Sequence, residues 1–287
     1  MTRQPLRLAI LEAERLLAEA GVESPRTDAE LLAAHVLGVE RGRLPLIPLV
    51  DPPVVDAIGQ LVAQRAKRIP LQHLTGWAAV GGITVDVGPG VFVPRPETEL
   101  LLEWTLTSLQ NVPDPLVVDL CTGSGALALA IANARPDATV YAVDNDPVAL
   151  SWARRNAEAR TAEGDTAIRL YSGDVTDGAL FAELDGLVDA VVCNPPYVPR
   201  GTRVAPEVSG HDPVNAVYAD EGGLEVIRPA VSCAARLLKP GGVLAIEHDE
   251  RHGQSVPALL SGRRVLSEVD DHPDLAGRPR FATARRG

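Results

Sequence analysis

The chain has 287 residues, long enough for two domains, and its 46% apolar content can fill a core in each. A formal net charge of −11 argues against tight, sequence-independent binding to nucleic-acid backbones, which rests on basic surface, so no direct nucleic-acid partner is expected. No stretch reaches about 18 uninterrupted apolar residues, so no membrane span is expected.

Residues 1–72 read as a small helical domain. Leu6, Ile10, Ala13 and Leu17 recur at helical spacing, with Gly21 as the stop. Glu12, Glu14 and Arg15 interrupt that stretch, which excludes a signal-peptide core and points to the cytoplasm. Thr27-Asp28-Ala29-Glu30 matches a capping box ahead of Leu31, Leu32, Val36 and Leu37, with Gly38 closing the helix and His35 expected to pack on it. Pro52-Pro53 opens a third helix that ends before Pro70. The cluster Arg65-Ala66-Lys67-Arg68 is either a basic patch or a solvated helix end. With nine basic and nine acidic residues this region is neutral, so the whole net charge falls on the remainder. Residues 73–95 are expected to link the domains through a hairpin, 77–80 and 83–87, turning at Gly81-Gly82.

From Pro115 onward, strands alternate with helices, the pattern of an α/β domain with a mostly parallel sheet. Strand 116–120 carries Asp119 and runs into Cys121-Thr122-Gly123-Ser124-Gly125, followed by a helix over 126–134. Glycines let a ligand approach the backbone, and the helix N-terminus presents unpaired N–H groups. A second strand ends in Asp144, 19 positions beyond Gly125, where an acid can bind ribose hydroxyls. The loop also fits the dinucleotide pattern G-x-G-x-x-G/A. Asp119 decides between the two: a carboxylate there repels a pyrophosphate and suits the ammonium and sulfonium of S-adenosylmethionine.

Later strands are expected at 168–172, leading to Gly173-Asp174, at 188–193 and at 243–247, which ends in Glu247. The fourth strand runs into Asn194-Pro195-Pro196-Tyr197. Two prolines stiffen a turn and leave its carbonyls free to accept, and Asn194 adds a neutral side-chain acceptor. Tyr197 offers a flat face for a conjugated group. Together they suit a planar NH2, either a carboxamide or a base amine. Asp119, Asp144, Asp174 and Asn194 all fall at carboxyl ends of strands, where such sheets bind ligands. Cys121, Cys193 and Cys233 have no metal-ligand spacing; they are expected to be small buried residues, with the first two near one another and no metal bound.

Beyond these single motifs, nearly the whole chain resembles the peptide chain release factor N5-glutamine methyltransferases. The resemblance is carried by Ser24-Pro25-Arg26-Thr27-Asp28-Ala29-Glu30-Leu31-Leu32, by Pro70-Leu71-Gln72-His73-Leu74-Thr75-Gly76 and by Val91-Phe92-Val93-Pro94-Arg95-Pro96-Glu97-Thr98-Glu99. Leu238-Lys239-Pro240-Gly241-Gly242, Glu247-His248 and Asp274-Leu275-Ala276-Gly277-Arg278 complete it. Base-amine methyltransferases share the Asn-Pro-Pro-aromatic turn but not the segment from Arg95 to Glu99.

The resemblance implies a Rossmann-like class I S-adenosylmethionine-dependent methyltransferase domain over 96–287, with a release-factor-binding helical domain over 1–72. The implied reaction is methylation of the glutamine amide in the Gly-Gly-Gln motif of class-I release factors, by a monomer. Asn194 and Pro195 then hold the NH2, Tyr197 packs its plane and Pro196 stiffens the turn, while Arg95 and Glu97 either sit beside the substrate or belong to a salt-linked linker ahead of the helix that begins near Pro96. Asp119, Cys121, Thr122, Gly123, Ser124, Gly125, Asp144, Asp174, Val175 and Asn194 form the cofactor site. The chain departs from the family in having Cys121 for Gly, Val175 for an aromatic, Asp212-Pro213 for Glu-Pro, and His252 for Gln. Cys121 is expected to set a β-carbon against the cofactor's methionine end, and Val175 to remove a stacking face for adenine. Two alternatives are an N6-adenine methyltransferase and a catalytically silent cofactor-binding module.

Overall fold

The computed structural model describes residues 3–287. The chain divides into two compact units, one made of residues up to Trp77 with Val204–His211, the other of Ala78–Arg203 with Asp212–Gly287.

In the first unit, helices α1 (Leu6–Glu19), α2 (Pro25–Leu37), α3 (Pro52–Ala66) and α4 (Leu71–Thr75) surround one apolar cluster. A two-residue antiparallel pair, β1 (Gln4–Pro5) and β2 (Leu49–Val50), ties the start of α1 to the segment before α3. Leu6, Ile10, Ala13 and Leu17 are all buried, as their spacing predicts.

Three expectations are corrected here. Helix α2 starts at Pro25, so Thr27 and Glu30 lie inside it and no capping box forms; Pro25 at the first position has no N–H that would need an acceptor. Asp28 instead turns inward to Arg65 at 2.7 Å, and Glu30 pairs with Arg26 and Arg41. His35, expected to pack, is exposed in the last turn of α2. The basic cluster is neither patch nor solvated end. Arg65 is 7% exposed and bridges Asp28 and Glu207, and Arg68 grips Glu207 with two hydrogen bonds of 2.7 Å. Glu207 comes from α8 (Pro206–His211), a segment far along the chain.

The second unit is built on a seven-stranded sheet. Its strands are β5 (Leu116–Leu120), β6 (Thr139–Asp144), β7 (Arg169–Ser172), β8 (Val188–Cys193), β11 (Leu238–Glu247), β12 (Leu266–Pro273) and β13 (Pro279–Arg286). The order is β12-β13-β11-β8-β5-β6-β7, parallel from β11 to β7 and antiparallel through the β12–β13 hairpin. Central strands such as Val188–Cys193 are buried along their whole length, which explains why they are apolar apart from Asp189 near the strand's start.

Helices α5 (Thr98–Ser108), α6 (Ala126–Ala134) and α7 (Pro147–Ala162) belong to one apolar layer, and α10 (Ile227–Leu237) and α11 (Ser255–Ser261) to the other. The hairpin of β3 (Trp77–Val80) and β4 (Ile83–Asp86) turns at Gly81-Gly82 as predicted, with both φ values positive. A Cβ on Gly81 would stand 2.4 Å from Leu102, so the turn lies directly on α5.

The strand order reverses between β5 and β8. From β5 the chain proceeds through β6 and β7 toward one edge; from β8 it proceeds through β11 toward the other. Ligands of open α/β sheets bind at the carboxyl side of that point. Leu120 is in register with Cys193, so the Cys121 loop and Asn194 leave the sheet side by side. Two short elements pin the chain beyond Tyr197: β9 (Val198–Pro199) pairs with β10 (Tyr218–Ala219), which follows α9 (Val214–Val217).

Candidate active site

The glycine loop is shaped by its backbone. Cys121, Gly123 and Gly125 have φ values of 60°, 58° and 83°, so alternate residues adopt the left-handed conformation. A side chain favours that region only where it gains something, which is why glycine is the usual occupant and Cys121 the exception. Buried Asn156 on α7 fixes the loop from behind: it donates to the Ser124 carbonyl at 2.9 Å and exchanges two hydrogen bonds with the backbone of Asp86. Nothing approaches within 4 Å of where a Cβ on Gly123 would stand, so that face of the loop is open to a ligand.

Asp119 lies beneath the loop with no exposed surface. Its Oδ2 accepts from Thr122 Oγ1 at 2.6 Å, while Oδ1 has no hydrogen-bond partner among the described residues. Burial pushes its carboxyl up to about 7, against the pull of Thr122 and the Ala128 N–H; nearby Asp144 adds to the rise. A buried, half-satisfied carboxylate is stabilised by a cation and opposed by an anion.

Asp144 accepts from the N–H of Gly123 at 2.8 Å and of Asp146 at 2.9 Å, linking the second strand to the loop. Its carboxyl is raised by burial, partly offset by those N–H groups. Each oxygen keeps a lone pair for a further donor, as ribose recognition requires. Asp174 makes a local turn, accepting from the hydroxyl and N–H of Thr176 on Oδ1 and from Asn145 on Oδ2; these bonds hold it below the usual carboxylate range. Val175 is 9% exposed and belongs to the same apolar cluster as Tyr141 and Phe181. The Cys121 and Cys193 thiols do lie together, and burial followed by that contact raises Cys193 well above an ordinary thiol.

On the other side of the reversal, Asn194 Nδ2 donates to Thr98 Oγ1 at 3.1 Å. Its Oδ1 and the Pro195 carbonyl accept no hydrogen bond among the described residues. Pro196 and Tyr197 are half-buried, with the Tyr197 hydroxyl turned inward to Glu247 at 2.7 Å. Burial, then the Glu247 charge, pushes that phenol well above its ordinary range. Below the turn, Gly223 has φ 97°, and a Cβ there would stand 2.2 Å from the Tyr197 carbonyl.

Arg95 pairs with the buried carboxylate of Asp212 and stacks on Phe92, 5.1 Å from its ring centre. Its guanidinium is therefore engaged in bracing the loop. Glu97 immediately precedes α5 and faces Arg280 electrostatically. Thr98, Asn156 and Arg280 were not anticipated as site residues. Among the described residues, no cluster of His, Cys, Asp and Glu is placed to hold a metal, and no helix is long and apolar enough to cross a membrane.

A parallel sheet that delivers a glycine turn and, on the neighbouring strand, a buried-edge acid to one side, at the point where strand order reverses, is the frame of a class I S-adenosylmethionine-dependent methyltransferase. Comparison with known proteins agrees. Residues 9–76 match the model of the PrmC N-terminal domain, and residues 83–208 that of the methyltransferase small domain. The release factor glutamine methyltransferase of Mycolicibacterium smegmatis is 52% identical over 100% of this chain and 99% of its own length. That of Streptomyces coelicolor is 47% identical over 96% of each. A 4-amino-L-phenylalanine/4-methylamino-L-phenylalanine methyltransferase of Streptomyces pristinaespiralis is 40% identical over 92% of this chain and 90% of its own. Among solved structures, a Thermus thermophilus 16S rRNA N2 G1207 methyltransferase shares the fold, with a TM-score of 0.53 and 24% identity over 74% of this chain and 50% of that one. The chain belongs to the release factor glutamine methyltransferase family.

Proposed function

We propose that the chain methylates the side-chain amide nitrogen of the glutamine in the Gly-Gly-Gln motif of class-I peptide chain release factors, with S-adenosylmethionine as donor. The observation that carries this reading is the pair of unoccupied acceptors, Asn194 Oδ1 and the Pro195 carbonyl, beside a half-buried aromatic ring. Two acceptors match the two hydrogens of one NH2, and the ring matches the plane of a conjugated amide.

The loop fits the cofactor by the same reasoning. The open face at Gly123 admits it, the buried carboxylate of Asp119 favours its cationic end, and Asp144 suits its ribose. When bound, the cofactor supplies an electrophilic methyl group on a sulfonium. Asp174 and the backbone at Val175 are assigned to the adenine side, and Cys121, Thr122, Ser124 and Gly125 to the wall beneath.

A carboxamide nitrogen is a weak nucleophile because resonance delocalises its lone pair. Asn194 and Pro195 hold its two hydrogens in place, so that the remaining lone-pair density is directed toward the donor, and Tyr197 fixes the amide plane. The nitrogen sheds a proton during or after transfer, and no charged base is needed. Positioning and fixed dipoles of this kind supply roughly 7 kcal/mol or more in well-oriented systems. Arg95 holds the substrate-side loop through Asp212, and Glu97 is assigned to the substrate backbone. The helical unit is assigned to docking of the release factor, and the enzyme is read as a cytoplasmic monomer.

The test is methyl transfer from labelled S-adenosylmethionine to purified release factor, total RNA and DNA in parallel, with the modified residue mapped by mass spectrometry. Label is expected on the glutamine of Gly-Gly-Gln and is lost when that glutamine is replaced. Label on nucleic acid instead would overturn the substrate. Asn194→Ala is expected to abolish transfer while leaving cofactor binding largely in place; near-normal turnover would remove Asn194 from the site.

A further inference from the structure

Glu247 closes β11 one position beyond Ile246, which is in register with Cys193, so it stands beside Asn194 at the carboxyl edge of the sheet. It is 1% exposed. Its Oε1 accepts from the Tyr197 hydroxyl and its Oε2 from the Thr98 hydroxyl, both at 2.7 Å. Thr98, the first residue of α5, is 4% exposed and receives Asn194 Nδ2 on the same oxygen. Three segments remote in sequence thus converge on one buried carboxylate.

The direction of each hydrogen bond follows from what the groups can do. A carboxylate only accepts, so both hydroxyls must give their single hydrogen to it. Having given it, Thr98 can only accept, and the one group of Asn194 able to donate is its NH2. The amide of Asn194 is therefore locked with Nδ2 toward Thr98 and Oδ1 toward the substrate. The reverse orientation would set two NH2 groups face to face.

We infer that Glu247, acting through Thr98 and Tyr197, is the positioning residue that fixes the Asn194 amide as an acceptor and holds the Tyr197 ring against the substrate plane. This rests on the proposed function of the Asn-Pro-Pro-Tyr turn. Burial raises the Glu247 carboxyl, while the two hydroxyls and the Arg280 guanidinium favour its charged form; Glu97 is the remaining charge facing it. Once Glu247 is protonated on Oε2 it donates to Thr98, whose own hydrogen is then free to turn toward Asn194, and the lock on the Asn194 amide is released.

The test uses Thr98→Val, Thr98→Ser and Glu247→Gln in the full chain, with kcat and KM for release factor and cofactor affinity measured well below each variant's unfolding temperature. Thr98→Val and Glu247→Gln are expected to lower kcat about 100-fold, with KM and cofactor affinity little changed. Thr98→Ser keeps the hydroxyl and is expected to restore kcat to within about threefold of the parent, although it leaves a larger void than valine. The parent's kcat should fall toward acid pH, and that limb should be missing in Glu247→Gln. If Thr98→Val or Glu247→Gln turns over like the parent, or if Thr98→Ser is as impaired as Thr98→Val, the inference fails while the function stands. The side-chain NH2 signal of Asn194 in 15N-labelled protein gives a readout independent of turnover. It should be protected from exchange in the parent and lose that protection in Thr98→Val. Should the parent methylate no glutamine, the proposed function fails and this signal alone decides the positioning.

Discussion

Cys121 holds a backbone conformation, φ 60°, that an L side chain adopts at a cost of about 1–2 kcal/mol. The preference for glycine at this position thus has a local cause, independent of any contact with cofactor. Cys121→Gly is expected to raise stability by about 1 kcal/mol, since part of the relieved strain is offset by the flexibility glycine gives the unfolded chain. Thermal unfolding checks this; an unchanged or lower midpoint would mean that contact with Cys193 outweighs the strain. Asp119 works in the opposite sense, because its native pKa is raised from 3.8 to about 7. Its contribution to stability is complete below the unfolded value and is lost as pH rises toward 7, a window worth up to about 4 kcal/mol. Asp119→Asn, which has no such loss, should gain stability over the parent between pH 4 and 7 and hold the gain above. The same substitution should weaken cofactor binding and flatten its pH dependence, whereas the parent's affinity rises toward pH 7. Calorimetry of both proteins from pH 5 to 8 tests the trade; equal cofactor affinities would take Asp119 out of the site.

Elements with a strong period were legible before the fold was known. Ala126–Ala134 follows its glycine loop with no polar residue except Asn133, and Val188–Cys193 has the branched, apolar run of a doubly covered strand. The β12–β13 hairpin was not legible: Leu266–Pro273 is an edge strand with mostly solvated side chains, and its two adjacent acids hide any alternation. The supports of the site were hidden for another reason. Thr98 and Glu247 are 149 residues apart, Asn194 and Thr98 96, and Tyr197 and Glu247 50. A single polar residue acquires its role only when such segments meet. Gly223 is of the same kind, and it exposes how the short elements beneath the turn matter. Its φ of 97° disfavours any side chain, and an added methyl would strike the Tyr197 carbonyl at 2.2 Å and His252 at 2.6 Å. Gly223→Ala should therefore displace the clamp and reduce turnover about 100-fold. The glycine loop lies on other elements, so cofactor affinity should stay within a few-fold of the parent. Unchanged turnover would mean that the turn tolerates displacement.

At the scale of the whole molecule, each unit has its own apolar core, and every residue assigned to the cofactor lies in the sheet unit. The helical unit is closed by charge as well as by apolar contact. Arg65 bridges Asp28 at 2.7 Å and Glu207 at 2.8 Å, joining α2 and α3 to a segment that returns from beyond residue 200. Burial works against charge on Glu207, but Arg68 and Arg65 outweigh it and hold its carboxyl at about 2. That stabilisation is complete above the ordinary glutamate range and is lost as pH falls toward 2. Arg65→Ala leaves Glu207 its two bonds to Arg68 but leaves buried Asp28 without its cation, a loss of about 3–5 kcal/mol in comparable pairs. If the helical unit docks the release factor, this variant should show an earlier unfolding transition and a raised KM for release factor. Cofactor affinity should match the parent, because no charge or hydrogen bond of the cofactor residues has been touched. A fall in cofactor affinity in step with stability would instead mean that the helical unit supports the donor site as well as the acceptor, and docking would no longer be its separate task.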